Sequence, residues 1–438
     1  MQRTVDTNAG RIRGNEENGV VIYKGIPYAK PPVGDLRWRA PVKADAWTGI
    51  FDAGNFPNRA LQPDWDMGET FYKKEFYSDP VYGTPVSEDC LYLNIWTPAK
   101  TDGTLLPVAF FIHGGAFDHG TGHEVEFRSC EYAKRGVILV TINYRLGLAG
   151  FMAHPNLQKE DPEACGNYGL LDQVMALQWV RENIEAFGGD PSNITLFGQS
   201  AGAASVYALL HLARTRGMAA KAIIQSVGGY PAAFGKGCSL EEAFEIGEEA
   251  MRGLGCTDIA RMRNISDRKL LEIQQTIIDE RKSRILKFQP CINGKLLTHD
   301  LDTLLKQGNM SEIPVMIGST LNDLTVTEEE LKAGRSRMEE SCIQLSLMRE
   351  KLGMSAAYVY LFGRKLPGDE SGAFHSSELW YMFGTLKTCW RPMAQADMLL
   401  SERMLECWTE FMRSGRPDTG KNWRPCTQKD PFVMKFDI

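Results

Sequence analysis

The chain has 438 residues, of which 43% are hydrophobic and 24% are charged, and its formal net charge is −6. These values are those of an ordinary globular protein and exclude a disordered chain or a coiled coil. At this length roughly three quarters of the unfolded surface can be buried, so the core needs neither a metal nor a disulfide. The acidic balance argues against a nucleic-acid partner or an anionic membrane, since either would require a basic face.

No segment has the pattern of a targeting or membrane-spanning element. Residues 1–14 are polar and lack the apolar run of a signal peptide. The longest strongly apolar runs, 108–112 and 136–142, are too short to cross a bilayer. The ten cysteines lie singly, without zinc-ligand spacing, which favours free thiols and no metal or cofactor. We therefore expect a cytoplasmic protein; nothing in the pattern indicates its oligomeric state.

Short apolar, β-branched runs alternate with helical patterns along the chain. The predicted strands are 108–112, 137–143, 194–197, 222–226, 314–318 and 357–362. Residues 170–189 have apolar positions at helical spacing and a closing pair of glycines, which predicts a helix. This alternation predicts an α/β fold with a mostly parallel central sheet flanked by helices. Residues 239–312 are charged and helical in pattern without a clear strand, and indicate a helical insertion at about 230–312 in one domain spanning 1–438.

The motif with the most specific chemistry is GQSAG at 198–202, which directly follows a predicted strand and precedes a helical pattern. A serine between glycines at such a junction can lie on a tight, strained turn that exposes its hydroxyl above the sheet. The glycines are needed because a Cβ there would clash with neighbouring backbone. Ser200 is therefore a candidate nucleophile; the alternative is an ordinary loop between strand and helix.

A second motif, HGGAF at 113–117, directly follows another predicted strand. Acyl transfer requires backbone N–H donors aimed at the oxyanion that develops in the transition state. Consecutive glycines let amides point there without obstruction by side chains. Gly114 and Gly115 are thus candidates for two donors, and Ala201, the residue after the nucleophile, for a third. The alternative is a flexible turn.

A nucleophilic serine requires a base, and the base requires an orienting acid. In an α/β-hydrolase these residues follow the order serine, acid, histidine. Three of the seven histidines follow Ser200. His211 lies within the next helix, and His299 precedes the later strands. His375 follows the strand 357–362 and a Gly/Pro-rich loop, so by elimination it is the candidate base.

The acid is sought at the end of a strand between residues 200 and 375. Asp323 follows the strand 314–318 by a short loop and is the candidate. Asp302 lies before that strand, and the acidic run 328–330 is typical of the start of a solvated helix. Glu378 is too close to His375 in sequence to reach the far ring nitrogen with ease. The alternative role for Asp323 is to cap a turn.

These motifs together resemble those of the carboxylesterase type B (carboxylesterase/cholinesterase-like) family. The matching segments are 23–41, 87–98, 113–117, 167–202, 372–384 and 414–420. The resemblance implies an α/β-hydrolase fold with helical insertions over the active site, and hydrolysis of a small-molecule carboxylic ester through an acyl-serine. It implies the same roles for Ser200, His375 and the oxyanion donors. The family's acid is usually a glutamate in a motif like GxxxDEG; here GSTLNDL places Asp323 at that position and lacks the following glycine.

A second departure from the family concerns the length of chain before the histidine. Asp323 and His375 are only 52 positions apart, and the segment 325–347 resembles a shortened form of a region that contributes helices around the family's active site. We infer a more open mouth that admits a bulky or sugar-linked ester.

Three further residues are candidates for binding the substrate: Gln199, beside the nucleophile, and the aromatic residues Phe117 and Trp380. For aromatic residues core packing is the alternative. A different class of function, a catalytically silent binding or adhesion protein with the same fold, would be expected to lose the nucleophile or the histidine.

Overall fold

The computed structural model describes residues 2–63, 71–78, 84–100, 102–282, 284–334, 336–417, 419–420 and 422–437. The strands, in chain order, are β1 (Gln2–Thr7), β2 (Gly10–Glu17), β3 (Val20–Pro27), β4 (Ile50–Asp52), β5 (Arg59–Ala60), β6 (Val86–Ser87), β7 (Tyr92–Pro98), β8 (Leu106–Ile112), β9 (Ile138–Ile142), β10 (Gly189–Gln199), β11 (Lys221–Gln225), β12 (Cys238–Ser239), β13 (Cys291–Ile292), β14 (Val315–Thr320), β15 (Tyr358–Phe362) and β16 (Val433–Phe436).

The α-helices are α1 (Phe71–Phe76), α2 (Glu131–Lys134), α3 (Gly147–Phe151), α4 (Pro155–Glu160), α5 (Tyr168–Asn183), α6 (Ala201–His211), α7 (Leu240–Gly253), α8 (Ile259–Arg263), α9 (Asp267–Glu280), α10 (Leu301–Lys306), α11 (Glu328–Ala333), α12 (Arg337–Lys351), α13 (Glu378–Met382) and α14 (Gln395–Ser414). None of them, within the ranges given above, is long and apolar enough to cross a membrane.

Twelve strands form the central sheet, in the order β1-β2-β3-β7-β9-β8-β10-β11-β14-β15-β16, with β4 paired to β2. The strands from β9 to β16 in this order are parallel to their neighbours. The strands β1, β2, β3 and β7 pair antiparallel, and β7 joins the parallel part through an antiparallel pairing with β9. The prediction of a mostly parallel sheet is confirmed.

Both faces of the sheet are covered, and strand β8 shows why its sequence is a continuous apolar run. Val108, Phe110 and Ile112 lie in one hydrophobic cluster, which also contains the buried residues of α5 and α6. Ala109 and Phe111 lie in a second cluster, with the buried residues of α13 and α14. Because successive side chains of a strand point to opposite faces, a strand buried on both sides has no polar alternation.

All six predicted strands are present, as β8, β9, β10, β11, β14 and β15. The pattern does not predict β1, β2, β3, β7 or β16. Strand β2 has the sequence GRIRGNEE and is only partly buried, so it carries no apolar run that would indicate a strand.

Two other expectations need correction. The helix predicted over 170–189 ends at Asn183, because a 3₁₀ turn at Ile184–Phe187 follows it and Gly188 adopts a left-handed conformation before β10 begins. The segment 239–312 contains helices α7 to α10, as expected, but it also contributes to two short strands, since β12 pairs with β13. Strands of two residues are too short to leave a periodic pattern in the sequence.

Candidate active site

Ser200 occupies the turn between β10 and α6 with φ 57° and ψ −126°, which is strained for a residue with a side chain. Its amide donates to the Gln225 carbonyl oxygen at 2.9 Å, which fixes the turn against β11. A Cβ on Gly202 would lie 2.0 Å from the Ile112 carbonyl oxygen, and one on Gly198 would lie 2.5 Å from the Gly202 carbonyl. Only glycine at these two positions lets α6 approach the sheet closely enough to form the turn.

The loop after β8 borders the same cavity as Ser200, through Gly114, Gly115 and Ala116. Gly115 has φ +95°, and a Cβ there would lie 2.1 Å from the His119 carbonyl oxygen. No described group accepts a hydrogen bond from the amides of these three residues. Ala201 is the first residue of α6, where backbone amides have no partner within the helix. Sequence reasoning did not name Ala116; its place directly after the two glycines is the signal.

His375 and Asp323 meet although they are 52 residues apart, with 2.5 Å between His375 Nδ1 and Asp323 Oδ1. Their loops are joined through Asn322, whose amide donates to the Ala373 carbonyl oxygen and whose Oδ1 accepts from the Ala373 amide, both at 2.9 Å. The Asp323 carboxylate also accepts the Thr320 amide at 3.0 Å. The Thr320 amide therefore holds the Asp323 carboxylate in position independently of His375.

The charge of Asp323 is stabilised where it lies. Burial alone would raise the pKa of Asp323, but the charge and hydrogen bond of His375, with the Ser226 hydroxyl and the Thr320 amide, outweigh burial and lower that pKa. An ionised acceptor at Nδ1 keeps the proton there and leaves Nε2 as the basic nitrogen.

Gln199 lies beside that second nitrogen. Its side-chain amide nitrogen is 3.2 Å from His375 Nε2. With Nδ1–H donating to Asp323, Nε2 is the acceptor and the Gln199 amide is the donor. Gln199 also borders the cavity, as does His375.

A second buried carboxyl group, that of Glu378, lies near the pair formed by His375 and Asp323. Glu378 accepts a hydrogen bond from the Ser226 hydroxyl at 3.3 Å. Burial, and then the negative charge of Asp323, raise the pKa of Glu378 to about 7. Sequence reasoning considered Glu378 only as an orienting acid and set it aside; its spacing of three residues from His375 was the available signal.

We expect Glu378→Gln to change how stability depends on pH. An unfolded glutamate loses its proton near pH 4.5, whereas the buried one keeps it until about pH 7. Between these values the folded state binds more protons, so the unfolding free energy of the wild type falls as pH rises. The glutamine has no proton to lose, so its unfolding free energy does not fall in this way. The difference in unfolding free energy between variant and wild type should therefore rise by about 3 kcal/mol from pH 4.5 to pH 8, as measured by urea unfolding. Glu370→Gln, at an exposed glutamate in the loop that precedes α13, should show no such trend; parallel curves for wild type and Glu378→Gln would contradict the expectation.

The cavity in front of these residues has a volume of about 210 Å³. One wall is aromatic, formed by Tyr72 and Phe76 of α1 together with Tyr77. Phe117 and Trp380 do not border it. Phe117 is fully buried against Phe151, at a centroid distance of 5.0 Å, and Trp380 stacks behind Phe76 at 5.5 Å. Both are core residues, and Trp380 supports the wall through its contact with Phe76.

Helix α1 is held in place by a buried carboxylate, Glu75. It accepts hydrogen bonds from the indole nitrogens of Trp380 at 3.0 Å and Trp390 at 2.8 Å. The Arg391 guanidinium donates to both of its oxygens at 3.0 Å. Arg391 also pairs with Asp369 at 2.9 Å. This network ties the aromatic wall to the loop that leads to His375.

Arg391→Met is expected to lower the unfolding free energy by about 3 kcal/mol or more, because it leaves the buried Glu75 carboxylate without its cation. Urea unfolding measures the effect. The control is Arg268→Met, whose side chain is exposed and pairs with exposed Glu272; it should stay within about 0.5 kcal/mol of wild type. If Arg391→Met lowered the unfolding free energy as little as the control does, the buried pair of Arg391 and Glu75 would not stabilise the fold.

Within the described ranges, no group of three or more histidine, cysteine, aspartate or glutamate side chains is arranged to hold a metal ion.

Comparison with known proteins decides the family. The model of the carboxylesterase family matches residues 1–356 and 342–438. The chain belongs to the carboxylesterase family. The para-nitrobenzyl esterase of Bacillus subtilis is 33% identical over 469 residues, covering 96% of this chain and 91% of that protein. The fumonisin B1 esterase of Sphingopyxis macrogoltabida is 38% identical over 322 residues, covering 72% of this chain and 55% of that protein.

Solved structures agree with this carboxylesterase assignment. A PNB esterase superposes with a TM-score of 0.85 at 30% identity, covering 99% of this chain and 96% of that one. A carboxylesterase of Geobacillus stearothermophilus superposes with a TM-score of 0.82 at 30% identity and the same coverage. These likenesses confirm the predicted α/β-hydrolase fold. The chain is a carboxylesterase that hydrolyses small-molecule carboxylic esters. This assignment replaces the alternative of a catalytically silent binding or adhesion protein.

Proposed function

We propose that this carboxylesterase works through an acyl-serine on Ser200, with His375 as general base and Asp323 as the orienting acid. The observation that carries the proposal is a single cavity bordered by Ser200, on its strained turn, and by His375, which is bound through Nδ1 to Asp323. Nucleophile, base and orienting acid are the three parts that ester hydrolysis by a serine requires.

In the proposed cycle the Ser200 hydroxyl attacks the ester carbonyl carbon while His375 Nε2 takes its proton. The carbonyl oxygen becomes an oxyanion, which the amides of Gly114, Gly115 and Ala201 stabilise. The C–O bond to the alcohol then breaks, and His375 returns the proton to the leaving oxygen. Water repeats the sequence and releases the acid.

Gln199 enters this cycle through its contact with His375. Nε2 has one lone pair, so it accepts from the Gln199 amide or from the Ser200 hydroxyl, but not from both. The side chain of Gln199 must therefore rotate away when Ser200 is activated. Its carbonyl and amide groups then become available to polar atoms of the ester.

The experiment that tests this function is active-site labelling. A fluorophosphonate, which phosphonylates a nucleophilic serine and expels fluoride, should inactivate the enzyme with one label per chain. Mass spectrometry should find the added mass on the peptide that contains Ser200, and the Ser200→Ala chain should remain unlabelled. A label on another serine that tracks the loss of activity would overturn the assignment.

We propose in addition that the mouth accepts a bulky or sugar-linked alcohol. The support is that residues 325–347 contribute α11 and α12, and that no described residue of this segment borders the cavity. Much of α12 is buried, including Met338, Cys342 and Leu345, in a cluster with strands of the sheet. The test compares kcat/KM for the acetate esters of ethanol, benzyl alcohol and a glucoside. We expect kcat/KM to stay constant or to rise as the alcohol becomes larger. A steep fall in kcat/KM with alcohol size would contradict an open mouth.

A further inference from the structure

The hydroxyl of Tyr144 is hydrogen-bonded to the loop that contains Gly114 and Gly115. Tyr144 follows β9, is fully buried and does not border the cavity. Its hydroxyl donates to the His113 carbonyl oxygen at 3.0 Å. Burial raises the pKa of Tyr144 well above its ordinary value, so the hydroxyl keeps its proton and remains a donor. This bond connects a core residue to the first peptide unit of the loop.

The geometry of the peptide bond turns that contact into an orientation of Gly114. The carbonyl of His113 and the amide of Gly114 belong to one planar unit, and in a trans peptide they point in opposite directions. The peptide bonds of this loop are trans. With its carbonyl held by Tyr144, the unit presents the Gly114 amide on the side away from Tyr144, and Gly114 borders the cavity.

The side chain of His113 makes the same kind of contact one residue later. Its Nδ1 lies 2.8 Å from the Gly114 carbonyl oxygen. Burial lowers the pKa of His113 to about 3, so the ring is neutral and carries its single proton on the nitrogen that faces this carbonyl. Holding the Gly114 carbonyl orients the Gly115 amide in turn. The imidazole stacks on the Tyr144 ring with 4.6 Å between centroids, so the two side chains form one support.

The loop needs this support because its backbone is strained. Ala116 and Phe117 have φ of 51° and 63°, a left-handed conformation that costs about 1–2 kcal/mol for a residue with a side chain. The Gly115 carbonyl oxygen accepts the amides of Asp118 and His119, both at 3.0 Å, which closes the turn. A strained segment keeps its shape only when other elements fix it. The stacked pair of rings supplies such contacts at the start of the loop.

The far end of the loop is held by Gln62, which is fully buried. Its side-chain amide nitrogen donates to the Gly120 carbonyl oxygen at 2.9 Å, and its Oε1 accepts the Gly120 amide at 3.0 Å. A Cβ on Gly120 would lie 2.7 Å from His113 Nδ1, so Gly120 packs against the imidazole. The imidazole is therefore enclosed by Gly120 and Tyr144, which limits its rotation.

We propose that Tyr144 is a positioning residue for ester hydrolysis, which holds the amides of Gly114 and Gly115 in the direction of the oxyanion. It acts on the first amide through the His113 carbonyl and on the second through the stacked His113 ring. This inference rests on the proposed function, since it requires a tetrahedral intermediate on Ser200. Donors that are fixed in advance stabilise the developing charge without reorganisation during the reaction.

Tyr144→Phe removes one oxygen and keeps the stacked ring. We expect kcat for 4-nitrophenyl acetate to fall by about tenfold or more, while KM stays near the wild-type value because the bound ester carries no oxyanion. The midpoint of the pH profile of kcat/KM should not move, since His375 and its acid are untouched. Wild-type kcat in a folded Tyr144→Phe chain would overturn the proposal, as would a shifted midpoint, which would place the effect on the base.

The matched control is Tyr132→Phe, the same change at a fully buried tyrosine of α2. The Tyr132 hydroxyl makes no hydrogen bond to any described group. This variant should keep the wild-type kcat. Urea unfolding of both variants shows whether a loss of activity follows a loss of stability; an equal loss of kcat in both would overturn the role of Tyr144.

Two ketones separate stabilisation of the oxyanion from binding of the ground state. The Ser200 oxygen should add to the carbonyl carbon of pentyl trifluoromethyl ketone; the C=O double bond then opens to an oxyanion, and the serine proton passes to His375 Nε2. Methyl pentyl ketone, which is far less electrophilic, binds without this addition. We expect Tyr144→Phe to raise the inhibition constant of the trifluoromethyl ketone by about tenfold or more and to leave that of the methyl ketone near the wild-type value. Equal changes for both ketones would overturn the proposal.

Labelling at Ser200 separates this inference from the proposed function. If a fluorophosphonate labels Ser200 and Tyr144→Phe has the wild-type kcat, only this inference fails and the acyl-serine mechanism stands. If the label lies on another serine and tracks the loss of activity, the proposed function fails, and the role of Tyr144 fails with it.

Discussion

Ser200→Ala is expected to lower kcat for 4-nitrophenyl acetate by about 10⁵-fold or more, because it removes the oxygen on which the proposed acyl intermediate forms. The fold should persist, since alanine removes a single oxygen from a turn that Gly198 and Gly202 make sterically feasible. Some acceleration over water should remain, because the oxyanion donors and the substrate cavity are still in place.

The matched control is Ser192→Ala, a change of the same kind at an exposed serine on β10. Its kcat should equal that of the wild type. Circular dichroism and urea unfolding of both variants separate a loss of chemistry from a loss of structure. If a folded Ser200→Ala chain retained the wild-type rate, another residue would be the nucleophile.

Asp323→Asn should lower kcat by about 10⁴-fold, chiefly by disturbing the tautomer of His375. An asparagine presents either a carbonyl oxygen or an N–H₂ group to Nδ1. In the second orientation the imidazole proton moves to Nε2, which then cannot take the proton of Ser200. The loss of the carboxylate also removes the charge that stabilises the imidazolium, and this charge lies only 2.5 Å from Nδ1.

Two companion variants make this result specific. Asp323→Glu keeps the charge, as in the glutamate usual for the family, and should retain far more activity than Asp323→Asn. Asp279→Asn, at an exposed aspartate of α9, should be indistinguishable from wild type. If Asp323→Asn were fully active and Glu378→Gln were not, Glu378 would be the orienting acid and the assignment would be reversed.

The strands that carry the site were predictable from local sequence. Strands such as β8 and β10 are buried on both faces, so their apolar runs are visible without any knowledge of their neighbours. The antiparallel strands β1, at the edge of the sheet, and β2, next to it, were not predicted, since strands there can be polar wherever water reaches them.

The residues brought together by distant loops were only partly predictable. Asp323 could be proposed from its place after a strand, but its contact with His375 depends on the pairing of Asn322 with Ala373, which no local pattern encodes. Phe117 and Trp380 were assigned to the cavity because they are aromatic and near the motifs. Whether such a side chain faces a cavity or the core is decided by packing from other elements.

The sequence by itself determined the family motifs and the turn at Ser200. The glycines on either side of Ser200, directly after an apolar run, indicate a tight turn between strand and helix, and the structure adds that Gly202 must be a glycine because it packs against Ile112 of β8. Only the tertiary structure decided the electrostatics of the site, including the lowered pKa of Asp323 and the raised pKa of Glu378. The reason is physical: burial and charge act through space, and the groups that exclude water from these carboxyls come from segments far apart in the chain.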